Sequence, residues 1–218
     1  MLTTIDLMRH GEPMGGRKYR GQTDDPLSDK GWAQMWKAVG DYAGWQRIIT
    51  SPLSRCQVFA NALAEQRGIP VSVEGRFKEV IFGAWEGHTA EQLTAHHPDL
   101  LFDFKCDPVT NRPEGAERLE DFQSRVMAGW HAMLDAHSGE HVLVVCHAGV
   151  IRMLMSGMLG MPVQNAYRIQ VGSAAVSRFI VEERHGQRLA TLLFHDGVLP
   201  ENQGRKASQN SHSVHAAA

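Results

Sequence analysis

The sequence is poor in the features that mark several common protein classes. Cysteine occurs three times in 218 residues, at Cys56, Cys106 and Cys146, with no Cys-x-x-Cys spacing. An odd count at wide spacing argues against a disulfide framework and against a structural zinc site. Neither sign of charge is in excess: 22 Lys and Arg face 24 Asp and Glu, a formal net charge of −2. That balance leaves no footprint for a nucleic acid or a membrane surface, so an anion site must come from a local cluster of arginines. No apolar run approaches the length of a membrane-spanning helix. The first residues also lack the basic stretch of a signal peptide, so a cytoplasmic protein is expected.

What is present suits a globular α/β chain. Apolar residues make up 43% and charged residues 21%, enough for a sizeable core without covalent staples. "TTIDLM" (3–8), "RIIT" (47–50), "IPVSV" (69–73) and "HVLVVC" (141–146) read as strands. Helical patterns follow three of them. In "LSDKGWAQMWKAVGDYA", Ser28 is the expected N-cap, and Trp32, Met35, Trp36 and Val39 recur at helical spacing, which predicts both tryptophans in the core. "PLSRCQVFANALAEQRG" predicts a helix ending at Gly68, and "VIRMLMSGML" another. A long helix is expected through "RLEDFQSRVMAGWHAMLDAH", and two late strands joined near His185-Gly186. The strand-then-helix order predicts a mostly parallel sheet with helices on both faces. One domain is expected over 1–200, with a small helical cap inserted at about 84–125 and a disordered tail at 201–218.

Two strands end in a histidine followed by a small residue, at His10 and His147. In open α/β sheets ligands bind beyond the carboxyl ends of the strands, and parallel strands would bring both histidines to that edge. "RIIT" ends there too, and its helix opens with "SPLSR", placing Arg55 on a first turn whose free N–H groups favour an anion. Arg9, Arg55 and two histidines thus suggest a phosphate pocket. A proton donor would come from "FKEVIFGAWEG", where Glu79 and Glu86 are both candidates. The tripeptide Arg-His-Gly alone is weak, expected by chance in about one chain in forty of this length. The His96-His97 pair is a poor metal site, because adjacent helical side chains point about 100° apart. Cys146 ends a buried strand and is expected to be a small core residue.

Taken together, "RHGE", "SPLSR", "FKEVIFGAWEG" and "CHAGVIR" resemble, in order and approximate spacing, the motifs of the histidine phosphatase superfamily. That group includes the cofactor-dependent phosphoglycerate mutases and bacterial phosphatases of the α-ribazole phosphatase type. The resemblance covers roughly residues 3–155. It implies a phosphoglycerate mutase-like fold and a metal-independent phosphomonoesterase needing no cofactor. His10 would be the nucleophile that becomes phosphohistidine. Arg9, Arg55 and His147 would hold the phosphoryl oxygens, and Glu79 would protonate the leaving alcohol. A small-molecule phosphomonoester is the implied partner, with Arg20 and Gln22 as substrate contacts. General chemistry agrees: neighbouring guanidinium groups disfavour an imidazolium, a backbone carbonyl could fix the imidazole tautomer, and phosphoryl transfer depends mainly on positioning and charge.

The chain departs from the family pattern in two places. Gly16 stands where an asparagine is usual, and Arg17, Lys18 or Arg20 could substitute for it. After Glu86-Gly87 the mutases' basic segment is missing, and no arginine occurs between Arg76 and Arg112. A phosphatase is therefore expected over a phosphoglycerate mutase. The alternative of a different class is a non-catalytic phospholigand- or protein-binding module.

Overall fold

A computed structural model describes residues 1–200; the tail expected to be disordered, residues 201–218, lies outside the described residues. Six strands form one sheet: β1 (Leu2–Arg9), β2 (Arg47–Thr50), β3 (Val71–Val73), β4 (His141–Cys146), β5 (Val176–Arg184) and β6 (Gln187–Gly197). Their order is β3-β2-β4-β1-β5-β6. The first four in that row are parallel, and β5 and β6 add an antiparallel edge. The sheet is mixed and mostly parallel, as expected. Among the described residues no helix is long and apolar enough to cross a membrane.

Alternation along the central strands supplies both faces of the core. In β4, Val142, Val144 and Cys146 face one layer while Leu143 and Val145 face the other. The first layer holds α5 (Leu119–Ala136) and α6 (Ala148–Met158), and the second holds α1 (Asp29–Val39) and α2 (Ser54–Arg67). A strand buried on both faces must be apolar throughout, which is why "HVLVVC" is legible. The N-cap of α1 is Ser28, whose Oγ accepts from the Gly31 N–H at 3.1 Å. Gly68 ends α2 in the left-handed region at φ 64°.

Two sequence expectations need adjustment. Trp32 and Trp36 are half-buried, packing on Phe59 at centroid distances of 5.8 and 4.9 Å, while Met35 and Val39 are fully buried. At about 100° per residue, Met35 and Val39 take the centre of the buried stripe and the tryptophans flank it. The cap consists of a 3₁₀ turn (Gly83–Trp85), α3 (Ala90–Thr94) and α4 (Leu100–Cys106). Residues 119–125, within the span expected for the cap, instead open α5, because Leu119 and Phe122 at helical spacing join the core.

One buried charge fastens the sheet away from its carboxyl edge. Asp6, in the middle of β1, is fully buried. It accepts from Arg178 Nε and Nη2 at 2.7 and 2.8 Å, Trp45 Nε1 at 2.7 Å and His141 Nε2 at 2.9 Å. Burial alone would raise its carboxyl, but hydrogen bonds and charge from Arg178 and His141 hold it below the ordinary range. A depressed folded-state value stabilises above the unfolded value near 4 and is lost as pH falls through the folded one. Asp6→Asn should therefore cost about 3–5 kcal/mol at pH 7 by leaving Arg178 buried without its counter-charge. Urea unfolding should show the gap to wild type narrowing below about pH 4; an equal gap at both pH values would contradict this role for the charge.

Candidate active site

The site follows from strand register. Arg9 pairs with Cys146 across β1 and β4, and Thr50 pairs with Val145 across β2 and β4. The next residue of each strand is His10, His147 and Ser51. The ladder continues one step beyond the strands, with His10 N–H donating to Cys146 O and Ser51 N–H to Val145 O, both at 3.0 Å. The His10 and His147 rings meet edge to face with centroids 5.2 Å apart.

His10 is prepared in two ways. Its Nδ1 lies 2.7 Å from the Gly11 carbonyl oxygen, an acceptor only, so in the neutral ring Nδ1 carries the proton and Nε2 keeps its lone pair. Burial, followed by the Arg9 and Arg55 charges, holds its imidazolium well below the usual histidine range. Gly11 is required by close approach: a Cβ there would lie 2.2 Å from the Gly31 carbonyl oxygen. Burial, then the charges of Arg55 and Arg9, likewise hold the His147 imidazolium well below the usual histidine range. Its Nε2 lies 2.7 Å from Ser51 Oγ.

The two arginines are fixed by backbone carbonyls. Arg9 Nη1 donates to Val171 O at 2.7 Å. Arg55, the second residue of α2, donates from Nη1 to Thr23 O and from Nη2 to Gly21 O, both at 2.8 Å. Each keeps a buried Nε with no partner among the described residues. Burial, then the nearby Arg152 charge, lowers Arg9 to about 10, which leaves it cationic at neutral pH. Part of the first turn of α2 is already satisfied within the protein. The loop residue Asp24 caps it, with Oδ1 accepting from Ser54 N–H at 2.7 Å and Ser54 Oγ at 2.9 Å, and Leu53 N–H donates to Ser51 Oγ.

The geometry separates the two candidate acids. Glu79 reaches the start of α6, where Oε2 accepts from Gly149 N–H at 3.1 Å, and its charge is felt by Arg9. A Cβ at position 149 would lie 2.1 Å from Glu79 Oε1, so glycine there makes room for the carboxyl. Glu86 instead ties loops together, accepting from Phe82 N–H at 3.0 Å, Gln22 N–H at 3.4 Å and Thr23 Oγ at 3.0 Å. Arg20 braces its own loop: Nε pairs with Asp25, and Nη2 donates to the carbonyls of Met14 and Gly16. Gln22 Nε2 donates to Glu79 O at 3.2 Å.

Three contributors escaped sequence reasoning. Ser51 ends a strand next to His147. Arg125, on α5, donates to the carbonyls of Arg76, Lys78 and Glu79 and so fixes the segment carrying the acid, while Glu117 balances its charge. Arg152, the last residue of "CHAGVIR", lies on α6 near Arg9. Its presence inside that motif was the available signal. His96 and His97 are exposed on the cap, and among the described residues no group of three or more His, Cys, Asp or Glu side chains could hold a metal ion.

The chain is similar to known proteins over most of its length. The family model of the histidine phosphatase superfamily (branch 1) matches residues 5–193. The chain is 32% identical over 180 residues to the bifunctional protein Rv2228c of Mycobacterium tuberculosis, covering 80% of this chain and 49% of that protein. It thus spans about half the length of the mycobacterial relatives it matches. It is 30% identical over 164 residues to PhoE of Bacillus subtilis, described as an uncharacterized phosphatase, covering 73% of this chain and 79% of PhoE. Among solved structures, the mycobacterial glucosyl-3-phosphoglycerate phosphatase Rv2419c in complex with VO3 superposes with a TM-score of 0.78 at 25% identity, covering 88% of this chain and 97% of that one. The match of the family model over most of the chain places this protein in the histidine phosphatase superfamily, branch 1.

Proposed function

We propose that the protein hydrolyses a small-molecule phosphomonoester through a phosphohistidine at His10, without a metal ion. The observation that carries this reading is the Gly11 carbonyl 2.7 Å from His10 Nδ1, which leaves Nε2 as a neutral nucleophile among arginines. In the first step the Nε2 lone pair attacks phosphorus, and the bond from phosphorus to the ester oxygen breaks. Glu79 acts as the general acid, and its carboxyl gives the proton to the departing alkoxide. Arg9, Arg55 and His147 bind the equatorial oxygens, where charge is spread in a loose transition state. In the second step water attacks phosphorus, Glu79 takes the water proton, and the P–N bond breaks. Phosphate leaves and Nε2 is free again.

Gln22, bonded to the Glu79 carbonyl, borders the substrate, and Arg20 acts by shaping the loop after His10. Hydrolysis is favoured over mutase chemistry because the cap segment after Gly87 is free of arginine as far as Arg112. The similarity of the mycobacterial phosphatase that binds VO3 supports the same reading.

A panel of phosphate esters should show turnover by wild type in EDTA, inhibition by vanadate, and a loss of about a thousandfold or more in His10→Ala. Turnover surviving in that variant would overturn the nucleophile, and binding of esters without turnover would favour a binding module. For Glu79→Gln the expected loss depends on the leaving group. It should be about a hundredfold or more for alkyl phosphates and under about tenfold for p-nitrophenyl phosphate, whose phenolate leaves without a proton. Equal losses for both would remove Glu79 from the role of proton donor.

A further inference from the structure

The pocket holds more positive charge than one phosphoryl group engages. Arg9 and Arg55 flank neutral histidines, and Arg152 is a further cation that the two-step mechanism leaves unused. Arg152 lies on α6 five residues after His147. Its Nε donates to Ile169 O at 2.9 Å, and its guanidinium carbon lies 5.1 Å from the centre of the Tyr167 ring. Arg9 is held by Val171 O, two residues along the same segment. One short segment thus moors both guanidinium groups, and Arg152 is the charge that acts most strongly on Arg9. Among the described residues Arg152 pairs with no carboxylate, whereas Arg20, Arg47, Arg125 and Arg178 each do.

A second observation falls at the same place. The Tyr167 hydroxyl is shut off from solvent and has no hydrogen-bond partner among the described residues. Its ring packs edge to face on Phe104 of α4, which packs on Trp85, which packs on Tyr19 of the loop after His10. Cap, loop and α6 therefore converge on Tyr167 and Arg152. The guanidinium can only donate, and a buried hydroxyl without a partner is relieved by an acceptor. A ligand group that meets both is an oxyanion.

We propose that Arg152 and Tyr167 form a second oxyanion subsite beside the phosphate pocket, and that the substrate is a phosphomonoester carrying another anionic group, carboxylate or phosphate, a few bonds from the ester phosphorus. This rests on the hydrolase reading above. Arg17, exposed on the loop, adds positive charge to the same region.

The test is a matched series on one three-carbon skeleton: propyl phosphate, 3-(phosphonooxy)propanoate and propane-1,3-diyl bisphosphate. Wild-type kcat/KM should be about tenfold or more higher for at least one anionic ester than for propyl phosphate, and the better of the two names the second group. In Arg152→Gln that ratio should collapse to within about threefold of unity, while Arg152→Lys retains part of it. Arg168→Gln, which removes the exposed charge next in sequence to Tyr167, should keep the wild-type ratio. Should Arg152→Gln fail to fold, Tyr167→Phe removes one hydroxyl and should lower the ratio on its own. No preference in wild type, or an equal loss in Arg168→Gln, would overturn the subsite while leaving the hydrolase intact. Inactivity of wild type on the whole series and on p-nitrophenyl phosphate would overturn both.

Discussion

The parallel register of β1, β4 and β2 is the constraint on which the site depends. Pairing Arg9 with Cys146 and Thr50 with Val145 makes His10, His147 and Ser51 neighbours at one edge. A slip of one residue would turn every alternating side chain of a strand to the wrong layer. It would move Ile5 and Leu7 out of one core cluster and drive Asp6 into it. The hydrophobic pattern that fixes the fold thus also fixes the spacing of His10, His147 and Ser51. Asp6 adds a polar lock to the same strand, reaching Arg178 across β5 and His141 at the start of β4.

Around that edge the pocket stores electrostatic work in advance. Two imidazoles are buried neutral beside guanidinium groups, an arrangement unfavourable for an imidazolium and favourable for a nucleophilic lone pair. Backbone carbonyls hold the arginines, so their charge stays available to a ligand. A loose phosphoryl transfer asks for this kind of positioning and charge. The acid is fixed in the same manner: Arg125 gathers three carbonyls around Glu79, and Gly149 lets the carboxyl approach α6.

The sequence was most legible where local pattern and site coincide. The apolar run "HVLVVC" announced a central strand, so the histidine after it could be placed at the carboxyl edge. "SPLSR" puts Arg55 on a helix start, but nothing local marks Asp24, thirty residues earlier, as the cap of that helix. Glu79 and Glu86 were equivalent by local reasoning, because the loops that Glu86 ties lie 64 residues away in the chain. Arg125 and Arg152 carry no local mark, because their partners, the carbonyls of Glu79 and Ile169, come from distant parts of the chain. The partners of Asp6 come from 39, 135 and 172 residues away. The illegible part consists of long-range polar contacts, which carry no periodicity.

The central claim is that the phosphoryl group passes through His10 Nε2, and the most direct measurement is the chemistry of the trapped intermediate. Wild type mixed with excess substrate and quenched in alkali, which preserves phosphohistidine, is digested and its peptides are characterised by mass spectrometry and phosphorus NMR. The expected result is a phosphoryl group on the peptide carrying His10, bonded to Nε2, because Nδ1 is held by the Gly11 carbonyl. A phosphoryl group on Nδ1 or on any other residue, or steady turnover with no adduct at any quench time, would contradict the account.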